Sequence, residues 1–416
     1  MGLVDIGLLF FGLLLLGPFI NFAIYSFAYF PRPISPWQTR PAEILARSSA
    51  AKLPVVGWFY RREERSHFGR LFWLRPMLIE LATPLVLVFT CRYCLSGAFM
   101  PVALLTIGPD TLLHQFIAFA LLFTLMAIAT FIDFDERTIP DFITIPGTLL
   151  GLIGSIAFPD WRFHEVTFPV FPAVLGNAVP IQANSPELWN PIWDGNVGLI
   201  LALLFWSGWC FGMADRRWIS RRGMHKAVVY FFEVLRRSPS TKMLLGLWVL
   251  GFASLCVAYW KISPAQWESL LSALFGMGMG GALVWGFRIA ASVAMRQEAL
   301  GFGDVTLMAM IGSYFGWQIV WIAFFLAPFF GMLFVLIVWA ITRDNSLPFG
   351  PYLCAATVYC MLNWNSLWDS FSIFFFPPQY MLLLLPVLLL TLGALLWMIQ
   401  ALKKMIGPAK AKQPAQ

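Results

Sequence analysis

The feature that most constrains this chain is a series of long, unbroken apolar runs, at about 3–28, 77–97, 111–132, 142–158, 197–214, 243–260, 267–290, 305–316, 318–341, 351–366 and 379–402. A helix needs ~20 apolar residues to cross a bilayer, and runs without polar alternation are the mark of helices, not of barrel strands. Composition agrees: 59% of the 416 residues are hydrophobic and only 12% charged, with a mean hydropathy of +0.75. A soluble globular enzyme, a disordered chain and a disulfide-rich secreted module are all excluded. The expectation is an all-α, polytopic transmembrane protein of about 10–11 membrane segments, forming one integral membrane domain over 1–416. The run 305–316 is too short to cross at full length and is expected to be tilted, broken or partly inserted. The first run lacks a basic start and a small-residue cleavage site, so it reads as a retained span.

Basic residues fix the orientation. With 31–76 on the inner side, parity places 133–141, 215–242, 291–304, 342–350 and 403–416 there too. Counting Arg288 with its helix end, these segments hold 25 of the 28 Lys and Arg residues, leaving only Arg92, Arg162 and Lys261 outside. By the positive-inside rule this gives N-terminus out and C-terminus in. The net charge of +7 therefore belongs to membrane topology and lipid contact, not to nucleic acid, because no folded basic face interleaved with aromatics is present. Between spans lie a basic loop 31–76, an outer loop 159–196 rich in Pro, Asn and Trp, an inner loop 215–242 with an amphipathic stretch Met224–Leu235 expected on the lipid surface, and a short tail 403–416. The six cysteines are scattered, and the single C-x-x-C pair, Cys91 and Cys94, has no second pair with which to hold zinc.

Carboxylates collect at two inner borders: Asp133, Asp135, Glu136 and Asp141 in FIDFDERTIPD, and Glu298 with Asp304 in EALGFGD. Asp133 directly follows an apolar run, where an ionisable group is costly unless partnered or facing water. Asp135, Glu136 and Arg137 read as solvated border residues, and Asp141, after Pro140, as a helix N-cap that could also orient the pair. Gly301 and Gly303 permit a tight bend and the close approach of another segment ahead of Asp304. Two carboxylates in unequal surroundings, one closing a helix and one opening another, can share a proton. One then activates water while the other polarises a scissile carbonyl.

The residues FIDFDERTIPDFITIPGTLLGLIG (131–154), ALGFGDVTLMAMIGSYFGWQ (299–318), PFGPYL (348–353) and LRPMLIELAT (74–83) occur in an order that resembles the type IV prepilin peptidases, polytopic aspartic proteases of the GxGD class. The resemblance covers about half the chain. It implies cleavage of a basic leader from type IV prepilins or pseudopilins, at the cytoplasmic face of the bacterial inner membrane. Catalysis would fall to Asp133 and Asp304, with Gly301, Gly303, Asp141, Glu298, Glu80, Pro348, Gly350 and Pro351 shaping the site. Proteolysis of this kind requires no cofactor and no metal; S-adenosylmethionine would enter only if the N-methylation carried out by bifunctional family members were retained.

Departures from the family pattern bear on that last point. Loop 31–76 has no cysteine where many members carry two C-x-x-C pairs, the first-span motif reads Gly17-Pro18-Phe19-Ile20-Asn21, and Val305-Thr306 follows the GxGD where a lysine is frequent. The two aspartates are further apart than usual, which assigns 159–266 as an insertion: an outer loop and an extra helical hairpin around 215–242. Two other function classes compete: a proton-coupled transporter, for which His114 is the best relay candidate, and an inactive assembly scaffold. The substrate's identity and the oligomeric state are open at this stage.

Overall fold

The computed structural model describes residues 3–39, 47–98, 107–167, 177–214, 239–295, 300–342 and 348–376 and, within 384–398, all but 392 and 395–397. It is a helical assembly in which, among the described residues, seven stretches are long and apolar enough to cross a membrane, with two shorter apolar helices. Helix α1 (Leu3–Leu13) and α2 (Leu16–Phe27) are followed by α3 (Leu74–Leu95), α4 (Pro109–Glu136), α5 (Asp141–Ala157), α6 (Asn196–Met213), α7 (Pro239–Lys261), α8 (Pro264–Met295), α9 (Phe302–Phe315), α10 (Trp317–Thr342), α11 (Gly350–Leu362) and α12 (Trp364–Phe371). The first apolar run is thus two helices broken at Leu14–Leu15, and the run 351–366 divides at Asn363. The amphipathic stretch Met224–Leu235 and the tail 403–416 lie outside the described residues.

Short α9 is accommodated by burial inside the protein, which relieves it of the need to span lipid. Every residue from Asp304 to Phe315 is buried. It lies against α8 through glycines: a Cβ on Gly276 would come within 2.1 Å of Gly312 O, and one on Gly280 within 2.4 Å of Met308 O. Such small-residue crossings let two backbones touch. Gly316, at φ 89, then turns the chain directly into α10.

Contacts sort the helix ends into two groups. At one end lie the starts of α3, α5, α9 and α11 and the ends of α4 and α8; Arg75 of α3 pairs with Asp135 of α4 at 2.6 Å, and Arg288 of α8 donates to Leu300 O at 2.9 Å. At the other end, the outer segment forms a two-stranded antiparallel hairpin, β1 (His164–Thr167) with β2 (Asn177–Pro180), His164 opposite Pro180. It is firmly docked. Phe163 stacks between Phe315 and Trp364, Arg162 Nη2 donates to Ser269 O at 3.0 Å, and Trp317 Nε1 donates to Ala183 O at 2.7 Å. His114 belongs to this end, its Nδ1 2.9 Å from Asp160 Oδ1.

The basic loop is also structured where described. Glu64 receives Arg47 through both carboxylate oxygens at 3.0 Å and Arg61 Nε at 2.8 Å, while Arg61 lies over the Trp58 ring. Burial pushes the Glu64 carboxyl up, but the bonds from Arg61 and Arg47 outweigh it and hold the group below its ordinary range.

Candidate active site

One cavity of about 440 Å³ opens where α4 ends and α5 and α9 begin. Its lining brings together Asp133, Asp141, Gly301, Gly303, Asp304 and Pro348 of the sequence-predicted residues, and adds Tyr29, Arg137, Thr138, Ile139, Leu300, Phe302 and Phe349.

Each aspartate is placed by its helix. Asp133 sits in the last turn of α4, where its carbonyl accepts the Arg137 N–H at 2.8 Å and closes the helix. Arg137 takes the left-handed conformation at φ 56, a common way to end a helix, here occupied by a residue other than glycine beside the cavity. Asp304 is the third residue of α9, and its carboxylate faces back to the Gly301 N–H, the N-cap amide. An acidic residue in the first turn of a helix satisfies amides that have no partner within it. Both aspartates are buried, at 5% and 6% exposure, and their charges are close enough to interact directly. Among the described residues neither makes an ion pair.

The glycines explain why the pair can meet. A Cβ on Gly350 would lie 2.5 Å from Asp133 Oδ2, so the first turn of α11 approaches that carboxylate as closely as only glycine allows, with its N–H directed at it. Pro351 follows in the first turn, where its missing N–H costs nothing. A Cβ on Gly303 would meet Ile139 Cβ at 2.8 Å, so the α4–α5 connection is pressed onto α9. Neither Gly301 nor Gly303 has positive φ. The role expected for them in bending the backbone is corrected to close approach, and at Gly303 alone.

Several other expectations change. Glu80 does not line the cavity. It is buried on α3 and binds Asn21 Nδ2 at 3.0 Å and the Val55 N–H at 2.6 Å, while Asn21 also donates to Pro76 O. A Cβ on Gly17 would come within 2.5 Å of Glu80 Cα, so the two N-terminal motifs serve to cross α2 over α3. Asp141 is the first residue of α5, not its cap: Pro140 occupies the cap, and Asp141 is exposed at the cavity mouth. Asp135 and Glu136 are tied into the structure and not simply solvated. Asp135 pairs with Arg75, and Glu136 accepts the Tyr29 and Phe30 N–H groups at 2.8 and 2.9 Å, which brings Tyr29 to the cavity. Glu298 lies outside the described residues.

Sequence reasoning missed Tyr29, Arg137 and Arg288. Tyr29 gave no local signal, since only the long-range bonds of Glu136 place it. Arg288 supplies a cation near Asp304 from α8, in a chain that has Val305-Thr306 after GxGD where the family pattern often has a lysine; its guanidinium also lies 5.8 Å from the Phe302 ring.

Fold and site define the class: an integral membrane protein with two buried aspartates facing one open cavity at a shared border of its helices. Residues 239–336 match the Type IV leader peptidase family, a segment that holds Gly301, Gly303 and Asp304, begins inside the assigned insertion and does not reach Asp133. The prepilin leader peptidase/N-methyltransferase of Pseudomonas putida is 29% identical over 135 residues, 32% of this chain and 44% of that protein. Its counterpart in Pseudomonas aeruginosa is 34% identical over 91 residues, 21% and 31% of the two chains, and leader peptidase HopD of Escherichia coli is 33% identical over 104 residues, 24% and 63%. The chain thus spans less than two thirds of the length of these curated relatives. No solved structure matches. Over these parts of its length the chain is similar to the type IV prepilin peptidases.

Proposed function

We propose that this protein is a membrane aspartic endopeptidase that removes the basic leader from type IV prepilins or pseudopilins at the cytoplasmic face of the bacterial inner membrane. The observation that carries the reading is the Asp133–Asp304 pair, buried yet opening on one cavity, with a backbone N–H directed at each carboxylate and no ion pair to either among the described residues. In that setting one carboxylate takes a proton from a water as the oxygen attacks the scissile carbonyl carbon, and the other gives its proton to the carbonyl oxygen. Collapse of the tetrahedral centre breaks the C–N bond, and the departing nitrogen takes up a proton from the pair. Asp141, exposed at the mouth, suits a basic leader. The positive-inside count supports a cavity that faces the cytoplasm.

Proteolysis by this route needs no cofactor. S-adenosylmethionine would be required only for methylation, and the polar residues of the N-terminal motifs, Asn21 and Glu80, do not fit a methyl-donor site because they hold α2 against α3. The proposal therefore ends at cleavage. Co-expression with a model prepilin tests it: the wild type removes the leader, and Asp133→Asn and Asp304→Asn do not. Mass measurement of the new N-terminus decides methylation by the presence or absence of one methyl group. Cleavage retained in both variants would overturn the assignment.

A further inference from the structure

A second cavity of about 240 Å³ lies between α6, α8 and α9 and shares Phe302 with the first. Its α9 wall is Phe302, Val305, Thr306 and Ala309, positions that repeat along one helix face and begin beside Asp304. At 1.5 Å per residue the wall runs about 10 Å away from the border. From α8 come Gly278 and Gly281, and from α6 Gly208 and Trp209. Among the described residues Leu204 and Gly208 of α6 are exposed, so the groove can be entered sideways from the lipid.

We propose that this groove seats the first turns of the apolar helix that follows the cleavage site in a prepilin-type substrate, with α6 as the wall that selects among substrates. The inference rests on the peptidase reading. A chain whose basic leader is held among Asp133, Asp141 and Asp304 must send the segment after its scissile bond away from the aspartates. The apolar course that leads directly from Asp304 into the membrane layer is this groove. Charge fits as well as continuity, with three carboxylates against one arginine, Arg137, lining the leader's side and only apolar or small walls along the helix's side. The space suits side chains from one helix face, with the rest of the substrate helix in lipid. The α6 wall comes from the stretch that sets the two aspartates unusually far apart, which gives that stretch a role in recognition.

Gly208 makes the idea testable, because a Cβ there meets no atom within 4 Å. Gly208→Leu adds bulk to the α6 wall of the groove, and its Cβ displaces no neighbour. In proteoliposomes with a full-length prepilin, the expected result is a KM raised at least ten-fold with kcat within about three-fold. Replacing one large residue in the first two turns of the substrate's apolar helix by alanine should restore KM. An unchanged KM, a loss confined to kcat, or impairment that no substrate replacement relieves would each sink the proposal. A second measurement is independent of cleavage. In an Asp304→Asn background, Gly208→Cys is oxidised against single cysteines walked along the substrate helix, with the Gly208 parent as blank. Crosslinks recurring every three to four positions are expected. Crosslinks without that period, or none, overturn the groove; the latter is the outcome if a lipid acyl chain fills it. Wild type that cleaves no prepilin while the periodic crosslinks persist would instead reject the peptidase reading alone.

Discussion

Glu64 and Asp133 are buried to the same degree, at 4% and 5% exposure, yet their surroundings are opposite. Glu64 is saturated by Arg47 and Arg61 and ties the basic loop into one unit. Among the described residues Asp133 accepts the Gly350 N–H and Asp304 the Gly301 N–H, neither is ion-paired although the Arg288 charge is near Asp304, and both face open space. Burial is therefore uninformative about role; the supply of partners separates the two. A carboxylate paired with two guanidinium groups has no bonding capacity left for water or substrate, whereas one held by a single amide can still take and give a proton.

The largest expected effect breaks the cavity side of this contrast. Asp133→Asn or Asp304→Asn should lower leader cleavage by about 10³-fold or more, with expression and melting temperature preserved, since a neutral side chain of the same shape removes the cost of a buried charge. Gly350→Ala comes next. Its Cβ would lie 2.5 Å from Asp133 Oδ2, and the displaced carboxylate should cost about 10- to 100-fold in kcat with the fold retained, measured on detergent-purified enzyme.

Glu64→Ala tests the other side. It strands two buried arginines and should destabilise the protein by about 3–5 kcal/mol in denaturant melts, while the cleavage rate per folded molecule stays within about two-fold. A large loss of rate at unchanged stability would erase the distinction between the two carboxylates.

The smallest effect is expected in the outer hairpin. Burial pushes Glu165 up to about 7 from 4.5, against a bond from Ser185. Between those values the folded chain holds a proton that the unfolded chain has released, so this residue's contribution to stability falls as pH rises from about 4.5 to 7 and is level above. Glu165→Gln should melt a few degrees higher than the wild type at pH 8 and equally at pH 4. A gap at pH 4 as large as that at pH 8 would refute the titration.

Much of the site was legible along the chain. The FID and GFGD motifs pointed to Asp133 and Asp304 from border placement and resemblance, and both line one cavity. Gly276 and Gly280 have the four-residue spacing of a helix-packing face, and both press on α9. Glu80 misled, because a motif residue buried on an early helix looks the same in sequence whether it serves chemistry or a helix crossing; only the bonds from Asn21 and Val55 tell them apart. Tyr29 and Arg288 were invisible, since the first is held at the cavity by Glu136, over a hundred positions away, and the second comes from the neighbouring helix and bonds Leu300 O.

Sequence alone determined that the chain is polytopic and helical, which helix ends share a border, and which two aspartates stand there. These follow from local properties, the partition of apolar runs into lipid and the charge of their connections. Tertiary structure alone decided that Gly350 touches Asp133, that Glu64 is a tie and not a reactive group, and that α6 walls a groove leading from Asp304. Helices that are apolar on every side carry no facing signal, so their neighbours are chosen by where small residues let backbones meet.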